Sequence, residues 1–155
     1  MTLRFLWPGR TKNRDLRALE GFYFERIRTL VDCEIVPTKE ARGLDEKHAG
    51  KIMDIEARGL EKHIKDDYII CLFDKGREMS SREFSKLLES RWSGARQPVT
   101  FVAGGFLGLA ERILERADFS LALSKMTFSH ELSRVVLLEQ VYRSLTMIKG
   151  RSYAK

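Results

Sequence analysis

The sequence lacks the features that mark metal-binding, disulfide-linked or membrane proteins. Its 155 residues contain only two cysteines, Cys33 and Cys71, with no Cys-x-x-Cys pair and no cluster of cysteine and histidine. This pattern favours two reduced, buried thiols over a disulfide or a zinc site. The longest mostly apolar run, residues 99–110, is interrupted by glycines and is too short to span a bilayer, and the N-terminus has no signal-peptide pattern. We therefore expect a cytoplasmic protein with no metal and no membrane partner.

The familiar phosphate-binding motifs are also missing. Gly104, Gly105 and Gly108 follow an apolar stretch, and glycines there allow a ligand to approach the backbone closely. Their spacing is not G-x-G-x-x-G, and no Gly-Lys-Ser/Thr follows, so neither a Rossmann fingerprint nor a P-loop is present. Taken alone, an ordinary turn remains the alternative reading.

The C-terminal region carries a net positive charge, since its cations outnumber Glu131 and Glu139, in a chain whose formal net charge is +6. The cations after residue 126 are Arg134, Arg143, Lys149, Arg151 and Lys155. This distribution favours a nucleic acid over a membrane as the partner. Arg151 is suited to a phosphate and Tyr153 to stacking on a base, although a frayed tail is the alternative.

The periodicity predicts one α/β domain, residues 1–155, with a mostly parallel sheet covered by helices. Strands are predicted at residues 3–7, 33–36 (ended by Pro37), 68–73, 99–103 and 118–124. Helices are predicted at residues 16–30, 52–64, 84–88, 109–116 and 130–149. Asp74–Gly76 is predicted to turn the chain, and Ser80 with Glu83 forms a predicted capping box.

The last predicted helix carries two adjoining apolar stripes, a wider arc than one sheet face needs. The stripes comprise Leu132, Val135, Leu138, Tyr142 and Leu145, and Val136, Leu137, Val141 and Ile148. A symmetric homodimer and burial within a single domain both explain them. On the same helix, Glu139 and Arg143 are spaced for a surface ion pair.

Two further segments could carry chemistry. Residues 123–128 leave the last strand with hydroxyl and apolar side chains, which could hold an adenine, although Met126 as core filler is the alternative. His130 begins the last helix, where it could act as a base, an RNA contact or a structural cap.

Together, these segments resemble the SPOUT-superfamily methyltransferases that modify N3 of a pseudouridine in large-subunit ribosomal RNA. The resemblance covers essentially the whole chain. It rests on the order and spacing of residues 9–12, 69–72, 75–76 with 80–81, 101–105 with 108–109, 123–128 with His130, and 134–140 with 142–143.

The resemblance implies an α/β fold with a C-terminal trefoil knot, a homodimer, and S-adenosyl-L-methionine (SAM) as cofactor. The implied substrate is a pseudouridine in large-subunit rRNA on assembled ribosomes. The implied cofactor-binding residues are Leu72, Gly104, Gly105, Gly108, Leu123, Ser124, Lys125, Met126, Thr127 and Phe128. His130 is the candidate catalytic residue, and Arg134, Arg143, Arg151, Tyr153 and Lys155 are the candidate RNA contacts.

The chain departs from the family pattern in two places. Phe106-Leu107 stand where the family usually has Pro-Glu, and Ala154 follows Tyr153 where the family usually has histidine. Two alternatives therefore stay open: a SPOUT methyltransferase with another RNA target, and a dimeric RNA- or ribosome-binding protein that has lost methyl transfer.

Overall fold

Strands and helices alternate along the chain. The computed structural model describes residues 1–94 and 97–153, with the backbone alone at residues 93 and 94. The strands are β1 (Thr2–Pro8), β2 (Asp32–Thr38), β3 (Tyr68–Glu78), β4 (Val99–Val102) and β5 (Phe119–Ala122). The helices are α1 (Arg14–Arg28), α2 (Ala49–Glu61), α3 (Ser81–Gly94), α4 (Glu111–Leu114) and α5 (His130–Ile148), and a 3₁₀ turn (Glu46–His48) precedes α2.

The strands form one parallel sheet in the order β2-β1-β4-β3-β5. Each parallel pair is separated along the chain by at least one helix, which supplies the long crossover connection that parallel pairing requires. All carboxyl ends of the strands therefore meet at one edge of the sheet. The predicted class, a parallel sheet covered by helices, is confirmed.

Both faces of the sheet are covered by helices, and alternate residues of each strand face opposite sides, so the strands contribute to two cores. In β1, Phe5 and Trp7 join a core with residues of α1, α3 and α5. Leu6, between them, joins a second core with residues of α2 and α4. None of the helices in the described part of the chain is long and apolar enough to cross a membrane.

The helix starts follow local sequence signals. The side-chain oxygen of Asn13 accepts hydrogen bonds from the backbone N–H groups of Asp15 and Leu16, both at 3.0 Å, and so caps α1. The predicted capping box is confirmed at α3: the Glu83 carboxylate accepts from the Ser80 N–H at 2.7 Å, and the Ser80 hydroxyl accepts from the Glu83 N–H at 3.2 Å.

Two predicted strand ends were wrong. β3 runs through Asp74–Gly76 to Glu78, and its register against β5 shifts between Leu72 and Arg77. At this irregularity β3 passes very close to β5, and only glycine allows the approach: a Cβ on Gly76 would lie 2.6 Å from the Ser120 carbonyl oxygen. β2 continues through Pro37 to Thr38. Proline lacks a backbone N–H, and this is tolerated because β2 is an edge strand with a neighbour on one side only.

The two cysteines are unpaired, as predicted. Cys71 is fully buried, and burial raises the pKa of its thiol to about 12. Cys33 is half-buried, and desolvation raises its pKa to about 11. Both groups are therefore protonated thiols of low reactivity at neutral pH.

Candidate functional site

A cavity of about 540 Å³ lies at the carboxyl ends of the neighbouring strands β4, β3 and β5. Ligands of open parallel sheets bind at this edge, and the volume is in the range of small-molecule sites. Its walls come from residues 72–74 after the regular part of β3, residues 103–109 after β4, residues 123–124 and 126–128 after β5, and the start of α5. We call this space the donor cavity.

The wall after β4 is a tight loop that folds back on itself. The Gly108 N–H donates to the Gly105 carbonyl oxygen at 3.0 Å, and the two residues form an isolated antiparallel bridge. A Cβ on Gly104 would lie 2.3 Å from the Gly108 carbonyl carbon. Only glycine fits at residue 104, so at this residue the loop presents backbone to the cavity.

The wall after β5 is a polar turn that carries an exposed apolar side chain. The Ser124 hydroxyl accepts a hydrogen bond from the Met126 N–H at 2.9 Å, which shapes the turn. Met126 is 77% exposed, so it is not core filler. Across the cavity, Phe106 is 57% exposed. Two large apolar side chains that line one cavity and remain exposed favour an apolar or planar ligand between them.

His130 lines the same cavity at the first turn of α5. The Ser129 hydroxyl caps this helix by accepting from the Leu132 N–H at 3.3 Å. Partial burial, together with the positive charge of Arg134, lowers the pKa of His130 below its ordinary value. The imidazole is therefore neutral at pH 7 and is able to accept a proton.

The cavity brings together most of the residues expected at the cofactor site. The predicted residues that line it are Leu72, Gly104, Gly105, Gly108, Leu123, Ser124, Met126, Thr127 and Phe128. Lys125 belongs to the same turn but does not line the cavity.

Sequence reasoning missed several lining residues. The largest omission is Asp74, the one acidic side chain among the described residues that line the cavity. Its position directly after the apolar run of β3 was the available signal, because strand-end residues gather at this edge. Leu121 and Ser133 also line the cavity from β5 and α5.

Arg134 is not placed for RNA contact, which corrects the prediction made for it. The residue is 1% exposed. Its guanidinium donates to the Pro8 carbonyl oxygen at 2.8 Å and to the Thr11 hydroxyl at 3.1 Å, and it lies 5.2 Å from the Trp7 ring centroid. This side chain fixes the loop after β1 onto α5.

Three further predicted RNA contacts, Arg143, Arg151 and Tyr153, do not line the donor cavity within one chain. The predicted ion pair of Arg143 with Glu139 is present, with an Nη2–Oε1 distance of 2.6 Å. Tyr153 packs edge-on against Tyr142 at 4.7 Å, and desolvation together with a hydrogen bond to Tyr23 raises its pKa to about 12. Arg151 is exposed.

Lys155 and the departure at Ala154 lie outside the described residues. Within the described ranges, no group of three or more His, Cys, Asp or Glu side chains is arranged to hold a metal ion.

Residues 1–154 match the family model described as "Predicted SPOUT methyltransferase". Two similar curated proteins are both named "Ribosomal RNA large subunit methyltransferase H". That of Clostridium botulinum (strain Langeland) is 37% identical over 159 residues, and that of Clostridium kluyveri (strain ATCC 8527) is 34% identical over 159 residues. Each alignment covers 100% of both chains.

A solved structure described as a probable methyltransferase from Bordetella pertussis Tohama I has a related fold. The TM-score is 0.57 at 16% identity, and the match covers 92% of this chain and 95% of that chain. At this identity the likeness concerns the fold alone.

Proposed function

We propose, from the premise that this chain belongs to the SPOUT methyltransferase family, that it transfers a methyl group from SAM to N3 of a pseudouridine in large-subunit rRNA. We place the reaction on assembled ribosomes in the cytoplasm. The observation that carries the proposal is the donor cavity, which gathers the glycine turn, the turn after β5 and His130 at one edge of the sheet. The relatives' names, which specify large-subunit ribosomal RNA, supply the substrate class.

The residues of the donor cavity fit SAM. The backbone of residues 104–108 and the turn at residues 123–128 offer peptide hydrogen-bonding groups and apolar walls for an adenine. Phe106 and Met126 supply exposed apolar surface on either side. Asp74 offers a carboxylate, which is the suitable partner for a cofactor of positive charge. When bound, SAM supplies an electrophilic methyl group on a sulfonium.

The chain's own contribution is to position the nucleobase and to accept its proton. Positioning two reactants in line removes much of the entropic cost of a bimolecular step. N3 of pseudouridine carries an imide proton that must leave. His130 is neutral at pH 7, lines the donor cavity, and also lines a smaller neighbouring pocket. We therefore assign His130 the role of general base.

We propose that the region after β3 forms a trefoil knot. The close passage of Gly76 against Ser120, and the return of α5 to the loops after β3 and β4, support this topology. A crystal structure whose C-terminal segment passes outside the loop after β4 would overturn it.

We also propose that the protein works as a homodimer. Leu19 and Phe22 lie one turn apart on α1 and are 44% and 46% exposed. An exposed apolar pair of this kind is typical of an interface. Sedimentation of the wild type as a dimer and of Leu19→Glu as a monomer is expected, and a monomeric wild type would contradict the assembly.

The decisive experiment is methyl transfer from labelled SAM to intact ribosomes, compared with free rRNA and with tRNA. We expect transfer to ribosomes, located by mass spectrometry on a pseudouridine. Transfer to tRNA alone would favour a SPOUT methyltransferase with another target. SAM binding without transfer to any of the three would favour an RNA-binding relative that has lost catalysis, and His130→Gln provides the control for background transfer.

A further inference from the structure

A second concavity lies at the same sheet edge as the donor cavity, beyond the carboxyl ends of β1 and β2. It is an open groove of about 700 Å³. Its charged lining residues are Arg10, Lys12, Arg17, Lys39, Arg42 and Glu40. Five cations therefore face one carboxylate, and all five cationic residues are exposed. We call this feature the basic groove.

Most of the charge in the basic groove is uncompensated. Lys12 pairs with Glu40, with an Nζ–Oε1 distance of 2.8 Å. The four remaining cations form no ion pair with any residue that the structure describes. Like charges gathered in a concavity repel one another and produce a positive potential that attracts anions. A polyanion bound in the groove would relieve this repulsion.

The loop that forms one wall of the groove is hydrogen-bonded to the start of α5, the helix that also lines the donor cavity. The Glu131 carboxylate accepts hydrogen bonds from the backbone N–H groups of Lys12 and Asn13, the second at 3.1 Å. From beneath, the buried Arg134 binds Pro8 and Thr11 of the same loop. Glu131 and Arg134 belong to the first two turns of α5, which begins with His130. The groove wall and the candidate base are therefore fixed to one helix end.

A small pocket of about 240 Å³ joins the two sites. It shares Lys12 and Glu40 with the basic groove, and it shares Gly105, Phe106 and His130 with the donor cavity. A nucleobase is small enough for this pocket. A chain that lies in the groove could therefore place one base beside His130 without leaving the sheet edge.

We propose that the basic groove binds the phosphate backbone of the RNA strand next to the target nucleotide, whose base occupies the small connecting pocket. This inference rests on the proposed function and names the surface through which that function would reach its RNA. Guanidinium groups bind phosphate oxygens in bidentate geometry. Backbone contacts of this kind fix position without reading sequence, which suits a groove lined by charge rather than by aromatic rings.

The test compares two double variants with the same change of charge. Arg10→Gln/Arg42→Gln removes two cations from the groove. Lys65→Gln/Arg116→Gln removes two exposed cations next to the amino ends of β3 and β5, at the opposite edge of the sheet. Binding to a pseudouridine-containing rRNA hairpin is measured by fluorescence anisotropy across a salt series, and SAM binding is measured by calorimetry.

The groove variant should bind the hairpin at least tenfold more weakly. The slope of log affinity against log salt should fall by about 0.7 to 0.9 for each arginine removed, because each phosphate contact releases about that number of counterions. SAM affinity should match the wild type. In turnover with ribosomes, KM should rise while kcat is retained, because backbone contacts act equally on ground state and transition state.

Equal losses of hairpin affinity and salt slope in the groove variant and the control variant would overturn the proposal, since only total charge would then matter. Unchanged hairpin binding in the groove variant would overturn it as well. These outcomes are independent of the proposed function, which fails instead if the wild type binds the hairpin but methylates no substrate.

Discussion

Replacing Gly104 by alanine should weaken SAM binding while leaving the fold intact. The added Cβ would lie 2.3 Å from the Gly108 carbonyl carbon and 2.4 Å from its oxygen, whereas ordinary contact begins at 3.4 Å. The loop must therefore open by about 1 Å, and it does so at the wall of the donor cavity. Overpacking by one carbon costs about 1–3 kcal/mol. At 1.4 kcal/mol per factor of ten, the Kd for SAM should rise about 5- to 150-fold.

The matched control is Gly21→Ala, which adds the same methyl group to α1 at a place with no atom within 4 Å. This variant should bind SAM like the wild type, and it should be stabilised by up to about 1 kcal/mol through helix propensity. Calorimetric titration with SAM gives the Kd values, and far-UV circular dichroism confirms the fold. A Gly104→Ala protein that binds SAM within twofold of the wild type would refute the assignment of this loop to the cofactor.

Three further outcomes are expected. The pKa of His130 lies below its ordinary value of 6.5, so kcat should stay constant down to that pH and fall only at more acidic values. The variant His130→Gln should lower kcat by about 10²- to 10⁴-fold and lose this decrease at acidic pH. An unchanged pH profile of kcat in the variant would exclude His130 as the general base. Arg134→Met should reduce the free energy of unfolding, measured by urea titration, by about 3 kcal/mol or more, since two hydrogen bonds from a charged donor are lost. The exposed control Arg28→Met should change the free energy of unfolding by less than about 1 kcal/mol. Ser80→Ala should destabilise by about 1 kcal/mol through loss of the α3 cap, and an unchanged melting temperature would contradict that account.

The architecture was predictable because its signals are local. The strands inside the sheet are short apolar runs in the sequence. The capping box of Ser80 and Glu83 is a local signal that predicts the start of α3. The loops of the donor cavity were equally predictable, since glycines and hydroxyl residues follow strands whose carboxyl ends share one edge. The irregular path of β3 near Gly76 was not predictable, because it depends on how closely β5 passes.

The roles of the cations could not be deduced from the sequence. Arg134 stands in a helix with charged neighbours and has the appearance of a surface residue. Its burial is decided by Pro8 and Thr11, more than 120 residues away along the chain. The basic groove was missed for the converse reason: Arg10 and Arg42 follow different strands and come together only when β1 and β2 pair. The cations of the C-terminal region, by contrast, lie in one stretch of the sequence, and the RNA contacts were predicted there.

The position of β1 has a consequence for how the protein is made. β1 pairs with β4 from Leu3 opposite Val99 to Leu6 opposite Val102, so its second neighbour is synthesised nearly a hundred residues later. At about 5–20 residues per second, a nascent chain carries one unpaired apolar edge of β1 for about 5–20 s. Chaperone capture during translation and sensitivity to truncation should therefore concentrate on this interval, before the loops after β4 and β5 that form most of the donor cavity have been made.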